Sequence, residues 1–293
     1  MLPFLLLGLL QGLTEFLPIS SSGHLALAEQ FFRIQKPGIV FDIFVHFGTL
    51  LSVVWVFRQR IWRLALAPVR RGEGLRLLGL LVVGSIPTGV LGLALDSVAE
   101  AAFGQSWAVG VGLLVTAFVL SIAERLAPHP YSPLPPRGEG PGRSVLMPPL
   151  SKEDAASKRF GVRALEQLTW RDALWIGLAQ GIAVLPGISR SGSTIAMGLF
   201  GGLRREDAAE FSFLLFIPAI IGATILKLGE ALSDPGAHSA LWGSYLAGTT
   251  VAFLSGVVAI RFLMRFLRER RLTPFAVYCA VSGIVAILWH FAR

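Results

Sequence analysis

Charge is scarce in this sequence. Asp, Glu, Lys and Arg make up only 15% of its 293 residues, against about 25% in an ordinary soluble domain. A soluble chain of this size could not solvate the surface that such a composition leaves. Cysteine is almost absent as well. Cys279 stands alone inside an apolar run, which excludes an intramolecular disulfide and a thiolate metal cluster and predicts a small buried apolar side chain. The opening stretch MLPFLLLGLL lacks the basic region of a signal peptide, and no small-residue cleavage pattern follows it; it is expected to belong to the mature protein. Acidic residues are fewer than basic ones, giving a net charge of +8. That excess invites a nucleic-acid reading. The basic residues, however, sit in a few loops between apolar runs, as in the cytoplasmic loops of membrane proteins. Membrane lipids are expected as partners, and nucleic acid is not.

What the chain has in abundance is apolar sequence: 54% hydrophobic residues and a mean hydropathy of +0.66. Crossing a bilayer core takes about 20 residues of helix. Six runs qualify as full spans, near 39–57, 77–95, 107–124, 211–230, 240–262 and 274–291. Two further apolar regions, 1–31 and 172–202, are interrupted near their middles by LPISSSGH around Pro18 and LPGISRSGST around Pro186. Pro and Gly at bilayer depth mark a re-entrant or broken helix lining a polar cavity.

The two broken regions resemble one another. At an offset of 169, Gly8, Leu9, Gln11, Gly12, Ile19, Ser20, Ser22 and Gly23 fall on Gly177, Leu178, Gln180, Gly181, Ile188, Ser189, Ser191 and Gly192. Each is followed by three spans. The expected fold is therefore all-α and membrane-integral: two repeats, each a broken re-entrant hairpin plus three transmembrane helices. Residues 1–125 form the first repeat, 126–170 a polar, Pro-rich cytoplasmic linker expected to be disordered, and 171–293 the second repeat.

Charge orients the repeats. Arg58, Arg60, Arg63, Arg70, Arg71 and Arg76 follow the first span, and Arg265, Arg268, Arg270 and Arg271 precede the last. Both loops should be cytoplasmic. Connections 96–106 and 231–239 carry no Lys or Arg and should face outward. Threading the spans between them makes the repeats antiparallel, an inverted-topology pair with its site near the midplane.

Two constellations carry chemistry. In the first, Gln11 and Glu15 are spaced i,i+4 on one helix face, and Ser20, Ser21, Ser22 and His24 follow within ten residues. Ionisable groups in an apolar segment usually line a functional cavity. In the second, Ser189, Arg190, Ser191, Gly192 and Thr194 surround the only cation between Arg171 and Arg204. A guanidinium there needs an anionic partner, either a substrate phosphate or Glu15. Hydroxyls, glycines and the N-terminus of a helix beginning near Ser193 add donors for an oxyanion. Brought together, the loops hold an acid or base, two kinds of nucleophile (Ser21 and His24) and an anion clamp, the parts needed for phosphoryl transfer. Asp42 and His46, i,i+4 on the first span, either face the pocket or mark a helix end.

QGLTEFLPISSSGH and PGISRSGST resemble the two signatures of the undecaprenyl-diphosphate phosphatase (bacitracin-resistance) family, in the same order and within a similar hydropathy frame. The resemblance implies hydrolysis of the terminal phosphate of undecaprenyl diphosphate, a polyprenyl diphosphate lipid, at a site opening to the outer face of the bacterial inner membrane. It implies catalytic roles for Glu15, Ser21, His24 and Arg190, and phosphate contacts from Gln11, Ser20, Ser22, Ser189, Ser191, Gly192 and Thr194. Many members carry a second glutamate where this chain has Gln11. A carboxamide is no base and a weaker cation ligand, which leaves Glu15 as the carboxylate ligand of a divalent cation, Mg or Ca. The linker is longer than is usual for the family. A transporter or lipid flippase of inverted-repeat architecture is the competing reading; it needs anion binding but no nucleophile. Oligomeric state stays open, a homodimer included.

Overall fold

In a computed structural model of the chain, residues 1–32, 39–70, 73–126, 162–232 and 242–292 are described. Those residues are helical almost throughout. The first half contains α1 (Leu2–Phe16), α2 (Ser21–Phe32), α3 (Ile39–Val56), α4 (Arg58–Ala65), α5 (Ala67–Arg70), α6 (Glu73–Phe103) and α7 (Ser106–Leu126). The second contains α8 (Trp170–Ile182), α9 (Arg190–Phe200), α10 (Arg205–Leu232), α11 (Trp242–Glu269) and α12 (Thr273–Phe291). Five helices are long and apolar enough to cross a membrane: α6, α7, α10, α11 and α12. A sixth candidate is α3 with α4, bent by 83° at Phe57. The protein is thus a multi-pass helical membrane protein, and the described residues of the six expected spans are helical except Phe57. The basic stretch after α3 is not open loop, since α4 and α5 occupy most of it.

Both expected breaks are present, and each has a local cause. After Phe16 the chain leaves α1 in extended conformation at Leu17, and Pro18 cannot continue the helix. Ser20 then takes a φ of +70°, the only positive φ at a described non-glycine residue. In the second break Gly187 takes +84°, where the absence of a Cβ makes the turn inexpensive.

Small residues let the helices approach closely, as membrane packing favours. Gly8 and Gly12 of α1 lie against Gly248, Ala252 and Ser255 of α11, with no room for a Cβ at either glycine. Their counterparts in α8, Gly177 and Gly181, lie in the same way against Gly84, Pro87 and Leu91 of α6. Beneath the breaks is a core that includes Phe16, Leu120, Ile195, Leu199, Phe211, Phe213 and Ile260.

One end of the bundle gathers the ion pairs. Arg205 pairs with Glu124 at 2.8 Å, Arg60 with Glu210 at 3.0 Å and Arg268 with Glu206 at 2.9 Å. These contacts join the ends of α7 and α11 to the starts of α4 and α10. Contacts at other helix termini include Phe31 on Trp289, Gln30 on the Phe103 carbonyl, Ser106 on His290, and Phe44 on Trp242.

Most of the expected linker, residues 127–161, lies outside the described residues, as do 233–239 of the expected outer connection 231–239. Residues 162–169, which the sequence assigns to the linker, belong instead to the packed body. Leu165 and Leu168 are buried. Arg163 bridges to Leu203 and binds Asp172 at 2.6 Å. Arg76 donates to the carbonyls of Glu166 and Leu168. Two leucines within a charged stretch were too short an apolar signal to reveal this.

Candidate functional site

The two breaks meet. Ser191 Oγ donates to the Leu17 carbonyl at 3.0 Å, and a Cβ on Gly23 would lie 3.1 Å from the Gly187 Cα. At this junction stands Glu15, with its side chain 1% exposed. Gln11, one turn earlier on α1, donates Nε2–H to Glu15 Oε2 at 2.7 Å. Ser21 Oγ donates to the same oxygen at 2.5 Å. Arg190 crosses from α9 to bind Oε1 at 2.8 Å. A buried carboxylate needs such partners, because desolvating an unpaired charge costs several kcal/mol. Arg190 is held from its other side by the Phe216 ring, 5.0 Å from its Cζ, and Phe216 in turn packs on Phe16 at 5.8 Å.

The first residues of α2 and α9 are built alike. Gly23 N–H donates to Ser20 Oγ at 3.3 Å, and Gly192 N–H to Ser189 Oγ at 3.0 Å. Ser20 and Ser22 hydroxyls lie 3.4 Å apart; Ser189 and Ser191 lie 3.3 Å apart. Such a cap stabilises a helix by about 1 kcal/mol. Here it fixes two helix N-termini at the junction, where their partial positive charge favours an anion. The second helix begins at Arg190 rather than near Ser193, because Ser189 caps it.

His24 makes two contacts of its own at the break. Its Nδ1 lies 2.7 Å from the Ser20 carbonyl and its Nε2 lies 2.7 Å from the Tyr278 hydroxyl. The reason is local: Ser20 turns its carbonyl into the first turn of α2, where the residue four positions on receives it. Thr194 is also turned away from the carboxylate, bonding the Arg190 carbonyl at 2.8 Å and Ser212 Oγ at 2.5 Å. Cys279 is fully buried, its Sγ 3.6 Å from the Pro18 carbonyl.

Three contributors escaped the sequence reading. Thr116 Oγ1 accepts the Ser189 N–H at 2.9 Å and also lies 3.0 Å from the Gly187 carbonyl, holding the second break open. Phe216 supports the guanidinium, and Tyr278 meets His24. Each sits alone in an apolar span, where nothing in the local pattern marks it.

A divalent cation needs oxygen ligands. Among the described residues no group of three or more His, Cys, Asp or Glu is positioned to hold a metal. Gln11 Oε1, however, is buried with no hydrogen-bond partner beside the Glu15 carboxylate. Gln11 turns Nε2–H rather than Oε1 toward Glu15, whose oxygens already accept from Ser21 and Arg190. These side chains therefore suit a cation carried in on phosphates, which displaces such bonds, better than a resident ion caged by protein, since Mg is usually held by one or two carboxylates plus substrate oxygens.

The fold and this junction define a multi-pass helical membrane protein with a charged, hydroxyl-rich centre between two broken hairpins. The chain belongs to the family described as bacitracin resistance protein BacA, whose model matches residues 4–285. It is 41% identical over 284 residues to an undecaprenyl-diphosphatase of Syntrophotalea carbinolica, covering 95% of each chain. It is 39% identical over 282 residues to one of Halothermothrix orenii, covering 96% of this chain and 95% of that one. A third, from Desulforapulum autotrophicum, is 38% identical over 301 residues, covering 97% and 96%.

Proposed function

We propose that this protein is a membrane phosphatase that hydrolyses undecaprenyl diphosphate to undecaprenyl phosphate and inorganic phosphate. It thereby recycles the lipid carrier of cell-wall synthesis and confers bacitracin resistance. One observation carries the chemistry: a single buried carboxylate, Glu15, holds both a serine hydroxyl and a guanidinium. The family and the names of its relatives support the substrate.

In the resting site Arg190 neutralises Glu15. An arriving diphosphate is the stronger partner for a planar guanidinium, so Arg190 turns to the phosphates. Glu15, relieved of that cation, becomes a better base for the Ser21 proton. Ser21 Oγ then attacks the terminal phosphorus, the bond to the bridging oxygen breaks, and undecaprenyl phosphate leaves. Water attacks the phosphoserine, releasing phosphate, and Glu15 returns the proton to Ser21 Oγ. The N-termini of α2 and α9 face the developing charge. Mg or Ca bound to the diphosphate would be held by Glu15 and Gln11 Oε1, supplying charge neutralisation. Purified protein in detergent should release phosphate from undecaprenyl diphosphate; Mg and Ca titrations of the same assay read the cation's part. Binding without release would favour a transporter, which needs no nucleophile.

The two halves are inverted in the bacterial inner membrane, with the ion-paired end cytoplasmic and the site opening to the periplasmic side. Support comes from the helix ends. The start of α8 and the region after α9 share the Arg163 contacts near the charged end. The start of α1 packs with the starts of α3 and α11 instead, through Phe4, Phe41 and Tyr245. Cysteine labelling tests this arrangement cleanly, because native Cys279 is buried. Gln105→Cys should react with an impermeant reagent from the periplasmic side only, and Arg270→Cys from the cytoplasmic side only. The reverse pattern, or both on one side, would refute it.

A further inference from the structure

We propose that Tyr278 is a positioning residue that fixes the ring orientation and tautomer of His24 for the reaction; the inference rests on the phosphatase reading above. A carbonyl oxygen only accepts hydrogen bonds, so the 2.7 Å contact with the Ser20 carbonyl puts a proton on His24 Nδ1. In the neutral ring the Nε2 lone pair is then free to accept, and the Tyr278 hydroxyl, 2.7 Å away, donates to it. The two rings also stack, 5.5 Å between centroids and 10° from parallel. Three contacts from opposite ends of the chain thus determine one imidazole.

The backbone is shaped to permit this. Ser20 holds a φ of +70°, unfavourable for a residue with a Cβ and kept only where surrounding contacts over-determine it. Its carbonyl accepts from both the His24 backbone N–H, at 3.2 Å, and Nδ1. Tyr278 closes the arrangement from α12. The result is an imidazole, one helical turn beyond Ser21 on α2, whose unprotonated Nε2 has a defined direction. From that state the imidazole takes a proton from the water that attacks the phosphoserine: the Tyr278 O–H···Nε2 hydrogen bond gives way to one from the water, an O–H bond of water breaks, its oxygen bonds to phosphorus as the Ser21 Oγ–P bond breaks, and the proton goes to Nε2. Tyr278 does not touch phosphate in this scheme; it keeps Nε2 unprotonated and fixes where its lone pair points until the water arrives.

Tyr278→Phe keeps the stacked ring and removes only the hydroxyl. It should lower kcat about three- to tenfold, the worth of one neutral hydrogen bond, with KM unchanged. In a His24→Ala background the same substitution should add nothing, because its effect passes through His24. Nitrogen-15 spectra of the labelled protein, with the His24 signals identified by their loss in His24→Ala, should show the Nδ1–H tautomer in the wild type and a mixture in Tyr278→Phe. An unchanged kcat, a loss that persists in the His24→Ala background, or an effect confined to KM would overturn the proposal. So would an unaltered tautomer. The spectra do not depend on turnover: a wild type that releases no phosphate defeats the phosphatase reading, whereas an active wild type with an indifferent Tyr278→Phe defeats this one.

Discussion

Arg190→Lys should cut kcat/KM by about 10²- to 10³-fold, the loss typical when one preorganised donor to a transition-state anion is removed. The substitution keeps the positive charge, so Glu15 is not left as an unpaired buried carboxylate. What it removes is the planar fork. Arg190 approaches Glu15 at 2.8 Å while its guanidinium lies over Phe216, a geometry that an ammonium cannot reproduce in hydrogen bonding or in stacking. A phosphoryl group needs two parallel donors to be oriented as well as neutralised. Arg190→Ala is the less informative variant. Breaking a buried ion pair from one side costs roughly 3–5 kcal/mol, so lost activity there would mix with lost stability. Combining Arg190→Ala with Glu15→Gln should recover thermal stability without recovering turnover. Steady-state kinetics of Arg190→Lys, paired with melting curves to show that it is folded, decide the matter; near-normal turnover would remove Arg190 from the phosphate site.

The sequence repeat is a guide to which residues build the site and which were hard to place. Glycines and capping serines identical in the two halves do the same structural work in both. Gly8 and Gly12 with Gly177 and Gly181 permit close helix packing, and Ser20 with Ser189 caps the returning helix. The groups that carry charge or proton chemistry fall where the halves differ: Glu15 stands opposite Val184, Ser21 opposite Arg190 and His24 opposite Ser193. A repeat can specify a scaffold twice, but a reaction needs unlike groups on its two sides. This made Glu15, Ser21 and Arg190 legible as a cluster from sequence. The orientation of His24 was not, because it depends on a left-handed Ser20 and on Tyr278, 254 residues away. Spacing along a helix predicts which side chains share a face, and here it put Gln11 on the face of Glu15, where the two are bonded. It says nothing about which way a carbonyl turns in a non-helical break.

Ser21→Ala should leave the folded protein with at most about one part in 10³ of its activity, as expected when a nucleophile is deleted and only binding and electrostatic terms remain. Ser21 Oγ lies 2.5 Å from Glu15 Oε2, so the hydroxyl already has its proton acceptor. Ser21 is also the first residue of α2, which sets any developing charge on the phosphoryl group close to free helical N–H donors. His24, the other candidate nucleophile, has both ring nitrogens engaged by Ser20 and Tyr278. Its attack would first require breaking one of those bonds. The two assignments differ chemically: phosphoserine survives acid, whereas phosphohistidine is acid-labile and base-stable. Rapid quenching with substrate radiolabelled in the terminal phosphate should therefore leave acid-stable label on Ser21. Glu15→Gln should slow the appearance of that label, because the hydroxyl loses the group that takes its proton. Acid-labile label on His24 would reverse the roles and make Ser21 a holder of phosphate oxygen. Absence of label on either residue, with inversion at a chiral phosphate, would mean direct attack by water; retention, the result of two successive displacements, is the outcome this geometry requires.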